Sequence, residues 1–363
     1  MTRLYIWERA DWPNFSYDAA RLLVAVGNAR KAQGRLAEAM ARVGFAQRQE
    51  AFLETLTTDA VETSKIEGED LDYAAVRSSV AARLGMPHAA LTPTDARTEG
   101  VAAMVLDAVE NYDKPLSANR IFRWHVELFP GKQEIIVGNW RPGPVGVYRY
   151  GRADQPPSTE YMAPPAERVV TDMQRFFEWF NEPSDTDGIV RSALAHLWFV
   201  TIHPFEDGNG RIARAIADMA LAQDEDSTRR FFSMSRQIRE EHKQYYAVLK
   251  QTQHGSLDVT SWIEWFLQCY ERAVQSAMEA LGRVLRANTF WAHHSSVTFT
   301  DRQRKALTHV LHGFKGAITT KNWQRLAQTS RESAARDLSD LVQKGVLRSE
   351  GAGRSTRYEL LEH

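Results

Sequence analysis

At 363 residues, with 43% apolar and 25% charged side chains, the chain has the composition of an ordinary folded protein and the length for two or three domains. The first thirty residues lack a basic start followed by an apolar run, and no stretch approaches the roughly 18 uninterrupted apolar residues of a membrane span. A cytoplasmic protein with no membrane contact is therefore expected, and the single cysteine, Cys269 in the apolar run 262–270, excludes an internal disulfide and reads as a packing residue.

The chain opens on an aromatic segment, Tyr5-Ile6-Trp7 through Trp12-Pro13-Asn14-Phe15, whose rings are expected to staple it onto the body. Apolar residues then recur at helical spacing over 19–44, 51–67, 96–111, 168–180, 189–202 and 212–221. Strand-like alternation is scarce, so the fold class predicted is mainly α. Turn signals stand at Met86-Pro87, across 139–146, at Gln155-Pro156-Pro157 and at Glu182-Pro183. No repeat is evident. These breaks suggest an N-terminal helical region at 1–94, a helical core at 95–285 and a third domain at 286–363.

In that third domain the pattern predicts a helix over 301–312, a second beginning at Thr319-Thr320 and a third over 331–344. Strand-like pieces follow, Val346-Leu347-Arg348 and Arg357-Tyr358-Glu359-Leu360, around Gly351-Ala352-Gly353. The order resembles a winged helix-turn-helix, which places its third helix in the DNA major groove. Residues 298–361 carry about six more basic than acidic residues, and Arg331, Ser333, Arg336, Arg354 and Arg357 would be the contacts. Winged helices also serve as protein-docking or dimerisation modules, and a solvated basic face accounts for the charge equally well.

The chemistry is concentrated between His203 and Arg214, in His-Pro-Phe-Glu-Asp-Gly-Asn-Gly-Arg-Ile-Ala-Arg. A helix predicted to run into His203 is stopped by Pro204, Gly208 and Gly210 free the backbone for a tight turn, and Ile212 opens a new apolar face. Backbone N–H groups at such a helix start form a nest for phosphate oxygens. Arg211 and Arg214, three apart, can reach the same polyphosphate. Asp207 is a hard oxygen ligand suited to Mg²⁺, and His203 can accept a proton near neutral pH.

Rival readings are weaker. Gly208-x-Gly210-x-x-Ala213 matches the glycines of a dinucleotide fold, but the preceding apolar run continues a helical face instead of forming a strand. His196 and His203 are seven apart with no further zinc ligand in pattern. No phosphate-binding loop ending in Gly-Lys-Ser or Gly-Lys-Thr is present. A polar surface loop with an incidental histidine leaves the convergence of two glycines, two arginines and an acid unexplained.

At these residues the sequence resembles the Fic family, whose signature His-x-Phe-x-Asp/Glu-Gly-Asn-Gly-Arg-x-x-Arg is filled at every fixed position. The resemblance implies a Fic-type helical core with a small β-hairpin flap. It also implies transfer of AMP from ATP to Ser, Thr or Tyr hydroxyls of target proteins and of the enzyme itself. His203 would be the base and Asp207 would hold Mg²⁺. Gly208, Asn209 and Gly210 would form the anion hole, Arg211 and Arg214 would grip the outer phosphates, and Phe205 would anchor the loop. The Gly/Pro-rich turn from Val137-Gly138-Asn139-Trp140-Arg141 to Val145-Gly146-Val147 matches the family's flap, which aligns a target peptide as an added strand, although a plain surface hairpin reads the same way. Tyr245, Tyr246 and Gln253 would line the adenine and ribose side, where relatives often have asparagine in place of Gln253. The two tyrosines are equally consistent with core packing.

A second motif, Thr63-Ser64-Lys65-Ile66-Glu67-Gly68, fits the family's inhibitory pattern. Its plain reading is a helix end with glycine beyond it, yet a carboxylate there is disfavoured by the helix dipole unless a cation answers it. The resemblance supplies Arg214 as that cation, with Glu67 blocking the ATP γ-phosphate. Two alternatives keep the fold and change the use: removal of AMP by water that Glu67 positions, or transfer of another nucleotide or a phosphocholine moiety. A third is a DNA-binding regulator whose core senses nucleotide. Self-inhibited relatives often associate, so a homodimer is a further expectation.

Overall fold

The protein is described by a computed structural model covering residues 4–86, 92–149, 158–311, 313–314, 316–351 and 356–361. Two compact units divide it, Met1–Ala277 and Met278–His363. Pro87, the turn at 155–157, Ala352, Gly353 and Arg354 lie outside the described residues.

The first unit is built around α7 (Gly188–Ile202), in which every residue but Gly188 and Arg191 is buried. A helix apolar on all sides can only be central. Asp187 begins it, its carboxylate accepting the N–H groups of Ile189 and Val190 at 3.0 and 3.2 Å, a side-chain cap that satisfies otherwise orphaned donors. α7 packs along α8 (Asn209–Glu225), and the Ser192 hydroxyl donates to Ala217 O across the contact at 2.8 Å. Around this pair lie α1 (Ala19–Ala41), α2 (Phe45–Ile66), α3 (Tyr73–Arg83), α4 (Ala96–Glu110), α5 (Ala118–Leu128), α6 (Val169–Asn181), α9 (Met234–Glu240), α10 (His242–Gln253) and the first part of α11 (Thr260–His293). The opening aromatics do pack onto this body, Trp12 and Phe15 meeting the Trp198 ring edge-on at 6.4 and 5.8 Å.

α2 also contributes to the core. It buries Phe52, Leu53, Leu56, Ala60 and Val61, and with them the carboxylate of Asp59. Arg230 lies 3.1 Å from Asp59 and 2.7 Å from Asp218 of α8. A buried charge without a partner is costly, so this triad ties α2 to α8 as one body. α2 ends at a left-handed Gly68 (φ +80°), with Gly68 N–H donating to Lys65 O and Glu69 N–H to Ser64 O. That return places the side chains of Glu67 and Glu69 against α8.

The mainly α fold expected from the sequence is the one adopted, and the periodic segments map onto α1, α2, α4, α6, α7 and α8. α3, α5, α9, α10 and α11 are additional to those segments. α8 starts at Asn209, inside the motif, because Gly208 takes the left-handed conformation (φ +80°) and serves as its N-cap. The hairpin differs from expectation. Its strands are β1 (Gly146–Arg149) and β2 (Ser158–Met162), antiparallel with Gly146 opposite Met162 and Val147 opposite Tyr161. Residues 139–145, read as the turn of the flap, instead form an irregular lead-in, because Pro142 and Pro144 have no N–H to give a ladder.

In the second unit α12 (Asp301–Leu311), α13 (Thr320–Leu326) and α14 (Arg331–Gln343) precede the antiparallel pair β3 (Leu347–Glu350) and β4 (Arg357–Leu360). An isolated bridge joins Ile318 to Tyr358. Trp323, Leu307, Leu338 and Leu341 fill its core.

Candidate active site

Helix α7 delivers His203. The chain turns there into the left-handed region (φ 52°, ψ 59°), unusual for a residue other than glycine. Its Nδ1 lies 3.1 Å from Val200 O, which places the neutral ring's proton on Nδ1 and leaves the Nε2 lone pair as the acceptor. Burial pushes the imidazole down to about 4; Val200 O, Glu67 and Asp207 favour its proton and Arg141 opposes it. The ring is therefore an unprotonated base at neutral pH.

The loop after it is braced from within. Phe205 is buried and stacks on His125 at 4.1 Å and 10°. Asn209 closes the loop, its side chain accepting Phe205 N–H at 3.0 Å and donating to Phe205 O at 2.8 Å. Its amide is thus a structural brace, and what it offers an anion is its backbone N–H. At Gly208 a Cβ would strike the Phe129 ring at 2.8 Å, and at Gly210 it would lie 2.2 Å from Glu67 Oε1. No side chain caps α8, so its first N–H groups and the positive end of its dipole face whatever occupies this cradle. The Glu67 carboxylate lies against Gly210, in the first turn of α8.

The two motif arginines are 1% and 3% exposed. Arg214 Nε donates to Thr63 Oγ1 at 2.7 Å, and Nη2 to Thr63 O at 3.0 Å and Glu67 Oε1 at 2.7 Å. Arg211 Nη1 donates to Glu69 Oε2 at 2.8 Å, its guanidinium lying over the Phe129 ring at 4.9 Å. Arg214 Nη1 and Arg211 Nε are buried and make no hydrogen bond among the described residues. Buried cations with donors to spare suit a ligand richer in oxygen than two carboxylates.

Asp207 is 45% exposed at the side chain, 3.2 Å from Lys132 Nζ and 3.8 Å from Arg211 Nη2. Burial works to raise its carboxyl, but the hydrogen bonds from Lys132 and Gly208 N–H, with the Arg211 charge, hold it below the ordinary carboxylate value. An exposed hard oxygen beside a phosphate cradle fits Mg²⁺, which takes one or two carboxylates and completes its shell with phosphate oxygens and water. Among the described residues no three His, Cys, Asp or Glu side chains cluster as a metal cage. His196, considered with His203 as a zinc pair, is instead enclosed by Trp262 and Tyr245, whose hydroxyl is 3.3 Å from its Nε2.

Of the expected nucleotide-lining residues, Tyr245 is buried and Tyr246 exposed. Gln253 is buried, its Nε2 at 3.4 Å from Thr201 Oγ1. In the second unit Arg331, Arg336 and Arg357 are exposed, Arg336 lying 3.5 Å from Glu332, while Ser333 N–H donates to the α14 cap Ser330.

Sequence reasoning passed over four side chains that build this site. Glu69 holds Arg211. His125 accepts Gly138 N–H at 3.0 Å on Nδ1 and lies 3.2 Å from Asp207 O on Nε2, joining the lead-in to the motif loop. Lys132 holds Asp207. Arg141 donates Nε to His203 O at 2.7 Å. Only Glu69 left a signal, as the second glutamate of Glu67-Gly68-Glu69.

Comparison with known proteins agrees with the geometry. Residues 115–221 match the Fic/DOC family, and residues 5–86 match a domain of unknown function, DUF4172. By the first of these matches the chain carries a Fic domain over residues 115–221. It is 29% identical over 143 residues to the protein adenylyltransferase Fic of Nematostella vectensis, 39% of this chain and 31% of that protein. It is 32% identical over 145 residues to a uridine 5′-monophosphate transferase of Xanthomonas campestris pv. campestris, 37% of this chain and 25% of that protein. These matches span less than a third of either relative. Among solved structures, a Fic family protein of Desulfovibrio desulfuricans G20 superposes with TM-score 0.55 at 22% identity, over 97% of this chain and 98% of that one. Fic-1 of C. elegans gives 0.51 at 18% identity, over 72% and 74%. Among the described residues no helix is long and apolar enough to cross a membrane.

Proposed function

We propose that the chain is a protein adenylyltransferase that moves AMP from ATP onto Ser, Thr or Tyr hydroxyls of target proteins and of itself, and that it holds itself inactive. The observation that carries this reading is the Glu67 carboxylate lying over Gly210 and bonded to Arg214, where a phosphate would sit. In the reaction His203 Nε2 takes the proton from the attacking hydroxyl, whose oxygen forms a bond to the α-phosphorus as the bond to the bridging oxygen breaks and pyrophosphate leaves. Arg211, Arg214 and the α8 N-terminus hold the outer phosphates, so catalysis rests on positioning and charge neutralisation. Asp207 would hold Mg²⁺, which supplies further neutralisation of phosphate charge.

Self-inhibition then has two points of closure. Glu67 keeps Arg214 from the γ-phosphate, and Glu69 does the same for Arg211. A second reading, removal of AMP at the same site, is favoured by Glu67, whose side chain is 30% exposed and so can address a water.

The test is transfer of label from α-³²P-ATP to protein in magnesium, comparing the unaltered chain, Glu67→Gly and Glu67→Gly/His203→Ala. Label confined to Glu67→Gly supports base and lock together. Label from α-³²P-UTP instead would replace the donor, and no label in any variant would sink the transferase reading.

A further inference from the structure

A helix leaves its last carbonyls without partners, and at the end of α7 side chains from the hairpin region take them up. Tyr161 of β2 donates its hydroxyl to Thr201 O at 2.5 Å. Arg141, in the lead-in to β1, donates Nε to His203 O at 2.7 Å and Nη2 to Ile202 O at 3.5 Å. Its other bonds reach the two sides of the hairpin's base, Nη1 to Gly143 O at 2.8 Å before β1 and Nη2 to Pro164 O at 2.5 Å after β2. Its backbone N–H donates to Pro204 O at 3.0 Å.

Arg141 is 2% exposed, and the bonds its guanidinium makes are to carbonyls, with no ion pair to a carboxylate among the described residues. A buried guanidinium held this way is an unusual expense in stability, and its five fixed donors match diverging carbonyls that a lysine could not gather. The side chain ties three things that are far apart in sequence: both ends of the hairpin and the backbone of the base.

We propose that Arg141 is a positioning residue for group transfer, locking the hairpin to His203 so that a hydroxyl presented along the hairpin arrives in register with the histidine Nε2. This rests on the transferase reading above. Arg141 touches neither the nucleotide cradle nor the motif arginines, so it sets the geometry of the transfer step and leaves the grip on ATP alone. It also acts on the base electrically. The groups facing His203 are Val200 O, Arg141, Glu67 and Asp207, and Arg141 is the cation that opposes its protonation.

The experiment uses the full chain carrying Glu67→Gly, with Arg141→Met or Arg141→Lys added, and reads self-labelling from α-³²P-ATP against ATP concentration and pH. Arg141→Met is expected to lower the maximal rate about 100-fold, the loss typical of a small misplacement of reacting groups, with the KM for ATP unchanged within about twofold. Its acid limb should move to higher pH. Arg141→Lys should keep the pH limb and recover only part of the rate. Loss of rate and of ATP affinity together, or an unchanged rate, would overturn the proposal, as would an Arg141→Lys chain that does not fold. If Glu67→Gly alone carries no label, the transferase reading has failed by itself. A ¹⁵N-histidine titration then decides about Arg141: a His203 ring with the same tautomer and the same titration in Arg141→Met removes the lock.

Discussion

Thr63→Val separates the roles of the two residues with which α2 holds Arg214. The guanidinium donates twice to Thr63, to Oγ1 and to the backbone carbonyl, and once to Glu67. Valine keeps the shape and the carbonyl but leaves Arg214 Nε, in a residue only 3% exposed, with no acceptor. An unsatisfied buried donor costs about 1–3 kcal/mol. If ATP draws Arg214 toward its phosphates, that cost falls on the closed arrangement and not on the nucleotide-bound one. The balance should then shift toward competence by roughly 5- to 150-fold at about 1.4 kcal/mol per tenfold, with Glu67 still in place. The assay is self-labelling from ATP beside Glu67→Gly, with thermal melting of each variant with and without ATP. A smaller ATP-free melting temperature and a raised labelling rate are expected. Thr63→Val that melts lower yet labels no faster than the unaltered chain would show that Thr63 supports the fold and takes no part in the lock.

Glu69→Gln removes the ion pair to Arg211 without disturbing the turn at Gly68, so ATP affinity measured by calorimetry should rise while labelling stays below that of Glu67→Gly. An unchanged affinity would leave Arg211 already free for ATP. Arg230→Ala strands Asp59 and Asp218, whose carboxyls burial pushes up; breaking such a buried group costs about 3–5 kcal/mol. Carboxyls raised in the folded state favour its protonated form, so urea denaturation should show a greater loss at pH 8 than at pH 5. His196 is pushed down to about 3 by burial and by Arg214. A depressed histidine stabilises the fold fully above its unfolded value of about 6.5 and loses that contribution as pH falls toward about 3. His196→Phe should therefore flatten the decline in stability between pH 6.5 and pH 4, and a parallel decline in both chains would refute the assignment.

The helices were legible because their signals are local. α7 and α4 follow aspartates that cap them, and α1, α2, α6 and α8 show an apolar face with the period of a helix. The motif from His203 to Arg214 was legible for the same reason, as a single run of residues. The hairpin register was not, because prolines at 142 and 144 carry the look of a turn while the pairing lies further on. Arg141 could not be found, since its acceptors are backbone carbonyls at 143, 164, 202 and 203, and a carbonyl has no letter in a sequence. His125 bonds backbone groups too, and its ring reads as one more member of the apolar face of α5. Glu69 gains its meaning only from the left-handed turn at Gly68, which sets it beside Glu67.

Because α2 is anchored in the core, a lock at its end can be undone only locally. A detachable inhibitory segment could be clipped away or peeled off by a competitor, but withdrawing this helix would expose Phe52, Leu53, Leu56, Ala60 and Val61 and strand the Arg230 cluster. Whatever opens the site has to act on the last turn and the return at Gly68, a movement of a few residues hinged on a helix that stays where it is.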